Sequence, residues 1–205
     1  MLQELKQRSR ALAVGPALFL GRLGLTPNAL TVIGAVLTSS VALLIAHGWF
    51  LAAGLCLWLF SATDTLDGAL ARATSRVSVF GAFLDSVCDR YAEAAVFFGA
   101  VWWYQSLGDV LGLTLTYVAL IGSLMVSYAR ARAEGVGLQA AEVGWFQRPE
   151  RIITLGIGLL IAQYLPLALT VAMAFLAVLT TVTVIQRVAH VARSGASGRM
   201  SNGRG

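Results

Sequence analysis

The chain has little charge. Only 12% of its 205 residues are Asp, Glu, Lys or Arg, where a soluble domain carries about 25%. Hydrophobic residues make up 58% and mean hydropathy is +0.76. This composition excludes a disordered chain and argues against a soluble globular fold. Cysteine is scarce: Cys56 and Cys88 both lie in apolar or motif-bearing segments, so no disulfide framework is indicated. Lysine is nearly absent. Lys6 is the only one, and the other 14 basic residues are arginine. With no C2H2 spacing, basic helix or Lys/Arg-rich run, nucleic acid is not an expected partner. A net charge of +5 suits an anionic membrane surface or a phosphorylated substrate instead.

What is present is a series of long apolar runs. At about 20 residues per span the chain holds six. The apolar pattern puts them near 29–46, 50–72, 79–104, 112–134, 151–164 and 167–188. Lys6, Arg8, Arg10 and Arg22 are interspersed with leucines in the first 22 residues. That pattern predicts a helix lying in the membrane interface rather than a cleaved signal. With six spans, every Lys and Arg falls on one side, while the loops near His47, Asp109 and Pro166 hold none. The positive-inside rule then puts both termini in the cytoplasm. The expected architecture is an all-α membrane protein. Residues 1–28 form a juxtamembrane amphipathic helix, 29–190 the six-helix domain, and 191–205 a disordered Gly/Ser/Arg-rich tail.

Four carboxylates stand out in this apolar setting. Asp64 and Asp67 close the second span, while Asp85 and Asp89 open the third, with Glu93 beyond. On a helix the first pair is about 60° apart and the second about 40°, so each pair shares a face. A short loop makes the two helices antiparallel and lets the pairs meet. Carboxylates are costly within a membrane and repel one another. Arg72, Arg76 and Arg90 offset part of that charge. Two divalent cations would neutralise it, and oxygen donors suit Mg²⁺ or Mn²⁺. Paired metals serve in-line displacement at phosphorus.

The run Asp64-x2-Asp67-Gly68-x2-Ala71-Arg72-x8-Gly81-x3-Asp85-x3-Asp89 resembles the signature of the CDP-alcohol phosphotransferases, with eight specified residues in 26 positions. The resemblance covers nearly all of the chain outside the tail. It implies transfer of a phosphatidyl group from CDP-diacylglycerol to an alcohol, with release of CMP. It makes Asp64, Asp67, Asp85 and Asp89 metal ligands for two Mg²⁺ ions, with Mn²⁺ an alternative. Asp89 is also the implied base for the acceptor hydroxyl. The implied donor contacts are Gly68, Arg72 and Ser78, with Asn28 and Thr31 from the stretch Thr26-Pro27-Asn28-Ala29-Leu30-Thr31. Asn28 can equally be a turn residue or helix N-cap. A homodimer in a prokaryotic plasma membrane, its active site facing the cytoplasm, is implied as well.

The acceptor is expected to be read by span four and the loop after it. Ser127-Tyr128-Ala129-Arg130 and Gln147-Arg148-Pro149-Glu150-Arg151 resemble the prokaryotic phosphatidylinositol-phosphate synthases and their archaeal relatives. The bacterial enzymes of that group often carry lysine where Arg130 stands. The resemblance implies inositol 1-phosphate as acceptor. Ser127, Arg130, Arg148, Arg151 and Arg187 are the candidates to hold its phosphate, since arginine binds phosphate bidentately. Glycerol 3-phosphate remains the alternative acceptor. A divalent-cation transporter, with the carboxylates as an ion path, is the alternative of a different class.

Overall fold

The computed structural model describes residues 14–138 and 143–202, with side chains as far as residue 194. Residues 14–22 form the first described helix, α1. It ends where Gly24 turns left-handed (φ +88°), and Leu25 N–H reaches back to Leu20 C=O at 3.2 Å. This is a Schellman cap. The next helix, α2 (Pro27–Ala46), starts one residue after Thr26. The Thr26 side chain accepts the Ala29 N–H at 3.2 Å, and Pro27 takes the first position, where no N–H is needed.

The remaining helices are α3 (Phe50–Ser61), α4 (Thr63–Ala73), α5 (Val79–Leu107), α6 (Val110–Gly135), α7 (Arg148–Ala162) and α8 (Leu167–Asn202). Among the described residues there is no strand. The same six-to-one closing bond recurs at the ends of α2, α4, α5 and α6. Gly48, Gly108 and Gly137 supply the left-handed residue in three of these; after α4 it is Ser75 (φ +54°).

Two compact units share the chain, Met1–Gly99 and Ala100–Gly205. In the first, α2 packs on both α3 and α4. Ala17 of α1 joins Leu30, Ala69 and Leu70 in a buried cluster. In the second, α8 packs along α6 and α7. Gly122 of α6 lies so close to Thr180 of α8 that no side chain fits between them. Tyr104, at the end of α5, hydrogen-bonds Thr170 at 3.0 Å.

Among the described residues, four helical stretches are long and apolar enough to cross a membrane: Pro27–Ala46, Phe50–Ala73, Val110–Gly135 and Leu167–Ser194. The expectation of six is met in part. At 29 residues α5 has the length, but its first half carries Asp85, Asp89, Arg90 and Glu93. At 15 residues α7 is short for a full span. Large apolar side chains on these four candidate spans, Val36, Leu43, Leu59 and Val178 among them, are exposed. That is expected of helices whose outer face meets lipid rather than water.

Two expectations need revision. Residues 191–202 were expected to be disordered, but α8 runs on to Asn202. Adding a residue to an existing helix avoids the cost of nucleation, so a weak sequence can extend a strong one. Asn28 is not the N-cap of α2, because Thr26 takes that place. Residues 1–13 of the expected amphipathic helix and 203–205 of the tail lie outside the described residues.

Candidate active site

Helix-forming residues run from Phe50 to Ala73 almost without a break. At Ala62 the hydrogen bonding tightens, and Thr65 N–H bonds Ala62 C=O at 3.1 Å, a 3₁₀-type turn. Thr63 Oγ1 donates to Phe60 C=O across this point at 2.5 Å. The close approach of α2 depends on Gly34, whose Cβ, if present, would run into the Thr63 hydroxyl. Asp64 follows immediately.

Asp64, Asp85 and Asp89 come together: one oxygen from each lies within 4.8 Å of the others. Asp89 is buried, the other two half-buried. Arg90 is a near cation, its Nη2 3.4 Å from Asp89 Oδ2. Three convergent carboxylates make an all-oxygen donor set, which suits a hard divalent cation. Asp67 stands outside this trio. It is buried, accepts from Thr31 Oγ1 on α2 at 2.5 Å, and takes the Gly68 N–H at 2.5 Å on its other oxygen.

A cavity of about 260 Å³ opens beside Asp67 and Asp85. All five expected donor contacts line it: Asn28, Thr31, Gly68, Arg72 and Ser78. Each is placed by local structure. Asn28 lies one residue past Pro27, within the first turn of α2. Arg72 reaches back over Gly68, where an added Cβ would stand 3.2 Å from Nη1. Ser78 caps α5, accepting the Gly81 N–H at 3.0 Å. Gly81 matters for a similar reason, since its Cβ would come 3.1 Å from Ser78 Oγ and 3.2 Å from Asn28 Oδ1.

The expected acceptor residues all belong to the second unit. Arg151 and Arg187 are each only 2% exposed. Arg187 donates from Nε to Val143 C=O at 2.8 Å and from Nη1 to Val126 C=O. Its charged neighbours are Arg130, Arg151 and Glu134. Arg130 pairs with Glu134 at 2.9 Å on a half-exposed face. Ser127 sits one turn below Arg130 and donates to Ser123 C=O at 3.4 Å. Arg148 opens α7. Arg130 and Arg151 thus lie near Arg187, with Glu134 beside them, and arginines grouped in this way are able to bind an anion.

The sequence model of the CDP-alcohol phosphatidyltransferase family matches residues 24–185. The chain belongs to this family. The archaetidylinositol phosphate synthase of Pyrococcus horikoshii is 42% identical to it over 173 residues, 82% of this chain and 85% of that protein. The phosphatidylinositol phosphate synthase of Mycobacteroides abscessus is 40% identical over 177 residues, 84% of this chain and 80% of that protein. A crystal structure of the Mycobacterium tuberculosis phosphatidylinositol phosphate synthase with CDP-DAG bound matches with a TM-score of 0.83 and 36% identity, covering 88% of this chain and 94% of that one. A structure of the same protein in complex with manganese and citrate matches with a TM-score of 0.82 and 36% identity, covering 87% and 88%.

In this phosphatidyltransferase the cavity wall also includes Arg76, which sequence reasoning named only as an offsetting charge. The α4 cap explains its place. Arg76 N–H closes on Ala71 C=O at 2.8 Å, so the chain folds back toward its own helix. A glycine at 75 would have signalled that turn; serine does not.

Proposed function

We propose that this enzyme transfers a phosphatidyl group from CDP-diacylglycerol to the hydroxyl of inositol 1-phosphate, giving phosphatidylinositol phosphate and CMP. The observation that carries this reading is the cavity in which Asn28, Thr31, Gly68, Arg72 and Ser78 converge beside Asp67 and Asp85. The identity to phosphatidylinositol phosphate and archaetidylinositol phosphate synthases, over more than four-fifths of this chain, supports the acceptor.

The roles follow from chemistry. Arg72 and Arg76 neutralise the donor's diphosphate, and Asn28 and Ser78 offer hydrogen bonds to the cytidine nucleotide. Ser127, Arg130, Arg148, Arg151 and Arg187 hold the acceptor's phosphate. Asp64, Asp67, Asp85 and Asp89 hold two divalent cations, Mg²⁺ or Mn²⁺. Bound there, such ions polarise the diphosphate and stabilise charge on the departing CMP. Asp89 takes the proton of the attacking hydroxyl. The hydroxyl oxygen forms a bond to the phosphorus bearing the diacylglycerol. The bridging P–O bond breaks, and its electron pair leaves with CMP. We further propose six spans with both termini in the cytoplasm, α5 and α7 completing the set, an interfacial helix before α2, and a homodimer in a prokaryotic plasma membrane.

The test is CMP release by purified enzyme given CDP-diacylglycerol and Mg²⁺, with inositol 1-phosphate, free inositol or glycerol 3-phosphate in parallel. Release with inositol 1-phosphate alone, abolished by Asp89→Asn, is the expected result. Release only with glycerol 3-phosphate would keep the reaction and discard the acceptor. Metal flux into vesicles without CMP release would favour a transporter.

A further inference from the structure

Residues 143–147 lead into α7 along one edge of α8. Thr183 Oγ1 accepts the Phe146 N–H at 3.2 Å while donating to Leu179 C=O at 2.8 Å. Gln186 Oε1 accepts the Trp145 N–H at 3.2 Å. Arg187 closes the row through Val143 C=O at 2.8 Å. Residues at i, i+3 and i+4 share a helix face, so the three side chains form one polar edge. The backbone of residues 143–147 is tailored to that edge. Gly144 is left-handed (φ +104°), and a Cβ on it would stand 2.5 Å from Thr183 Cγ2. Any other residue there would be strained and would push against Thr183.

The segment ends at Gln147, the N-cap of α7, which makes no side-chain capping bond. The segment leading into α7 is thus tied to α8, and the helix has no side-chain cap at its start. Arg148 and Arg151 stand in its first turn. Bidentate binding of a phosphate by arginine tolerates only about 0.5 Å of displacement.

We propose that Thr183, Gln186 and Gly144 are positioning residues for acceptor specificity. They strap residues 143–147 to α8 and so set where Arg148 and Arg151 meet the acceptor's phosphate. The proposal rests on the acceptor reading given above. None of the three residues need touch the acceptor. Their effect is on acceptor affinity, and none of them lines the donor cavity, whose lining comes from residues 27–85.

The experiment compares Thr183→Val, Thr183→Ser and Gln186→Leu in purified full-length enzyme. Apparent KM is measured for inositol 1-phosphate and CDP-diacylglycerol separately, and amide hydrogen exchange is followed at Trp145 and Phe146. Thr183→Val and Gln186→Leu are expected to raise the acceptor KM about tenfold. The CDP-diacylglycerol KM should stay within twofold, and exchange at residues 145–146 should accelerate. Thr183→Ser keeps the acceptor atom and should behave as wild type. Equal rises in both KM values, a fall in kcat alone, or faster exchange with no change in acceptor KM would overturn the proposal. Gln186 is half-exposed, so its variant keeps the test open if Thr183→Val fails to fold. Wild type that uses only glycerol 3-phosphate would refute the acceptor reading, and the same variants' KM for glycerol 3-phosphate would then decide the strap: a tenfold rise supports it and no change overturns it. Equal use of free inositol by wild type would remove both.

Discussion

Thr31 on α2 donates a 2.5 Å hydrogen bond to Asp67 on α4, and both side chains are buried. The bond ties the helix carrying Asn28 to the helix carrying Asp64 and Arg72, and it fixes which Asp67 oxygen faces away from α2. A hydrogen bond to a charged group is worth about 1.5–3 kcal/mol. Thr31→Val should therefore lower kcat/KM by about 10- to 150-fold, by conversion of that energy. Thr31→Ser, which keeps the hydroxyl, should lose less than threefold. Both are read by CMP release.

Gly34 sets how closely α2 approaches the Thr63 turn. A Cβ placed there would overlap the Thr63 hydroxyl and stand 4.0 Å from Asp64 Oδ1. Overpacking of this kind costs about 1–3 kcal/mol. Gly34→Ala should weaken Mn²⁺ binding about tenfold, measured by electron paramagnetic resonance titration without substrate. Adding Thr63→Ala should restore at least half of the loss on a logarithmic scale, as neighbouring sites couple.

Ser75 carries the left-handed turn that glycine carries at four other helix ends. The left-handed conformation is unfavourable for a residue with a Cβ. Ser75→Gly should stabilise the protein by about 0.5–1 kcal/mol. In a protein of this size that is about 1–4 °C in Tm. Thermal unfolding in detergent followed by circular dichroism checks it.

The donor side of the site was legible in the sequence because its spacing matches helix geometry. Asp85 and Asp89 are one turn apart, and Arg72 lies one turn beyond Gly68, so a linear motif maps onto faces that meet. The different environment of Asp67 was not legible. It comes from Thr31, 36 residues earlier, and no local pattern encodes that pairing. Arg187 illustrates the same gap. The sequence shows a cation, but its partners are the backbone carbonyls of Val126 and Val143, atoms every residue has. Charge sets α5 apart from the other long helices, and shortness sets α7 apart. Asp85, Asp89, Arg90 and Glu93 break the apolar run that would otherwise label α5 as a span.

Arg130 and Glu134 form an i,i+4 pair with both side chains nearly half exposed. Such pairs contribute about 0–1 kcal/mol to stability. Glu134→Gln should leave Tm within about 2 °C. Arg130→Ala should instead raise the acceptor KM about tenfold and spare the KM for CDP-diacylglycerol, because a charge-assisted phosphate contact is lost. Separate titrations of the two substrates distinguish these outcomes.

The product identifies both the reaction and the acceptor. Purified enzyme incubated with CDP-diacylglycerol, inositol 1-phosphate and Mn²⁺ should yield a lipid with the mass of phosphatidylinositol phosphate, in amounts equal to the CMP released. Chelation of the metal, or Asp64→Asn, should abolish both. CMP released without that lipid would rule out inositol 1-phosphate as the acceptor, and lipid formed undiminished in the presence of chelator would rule out metal dependence.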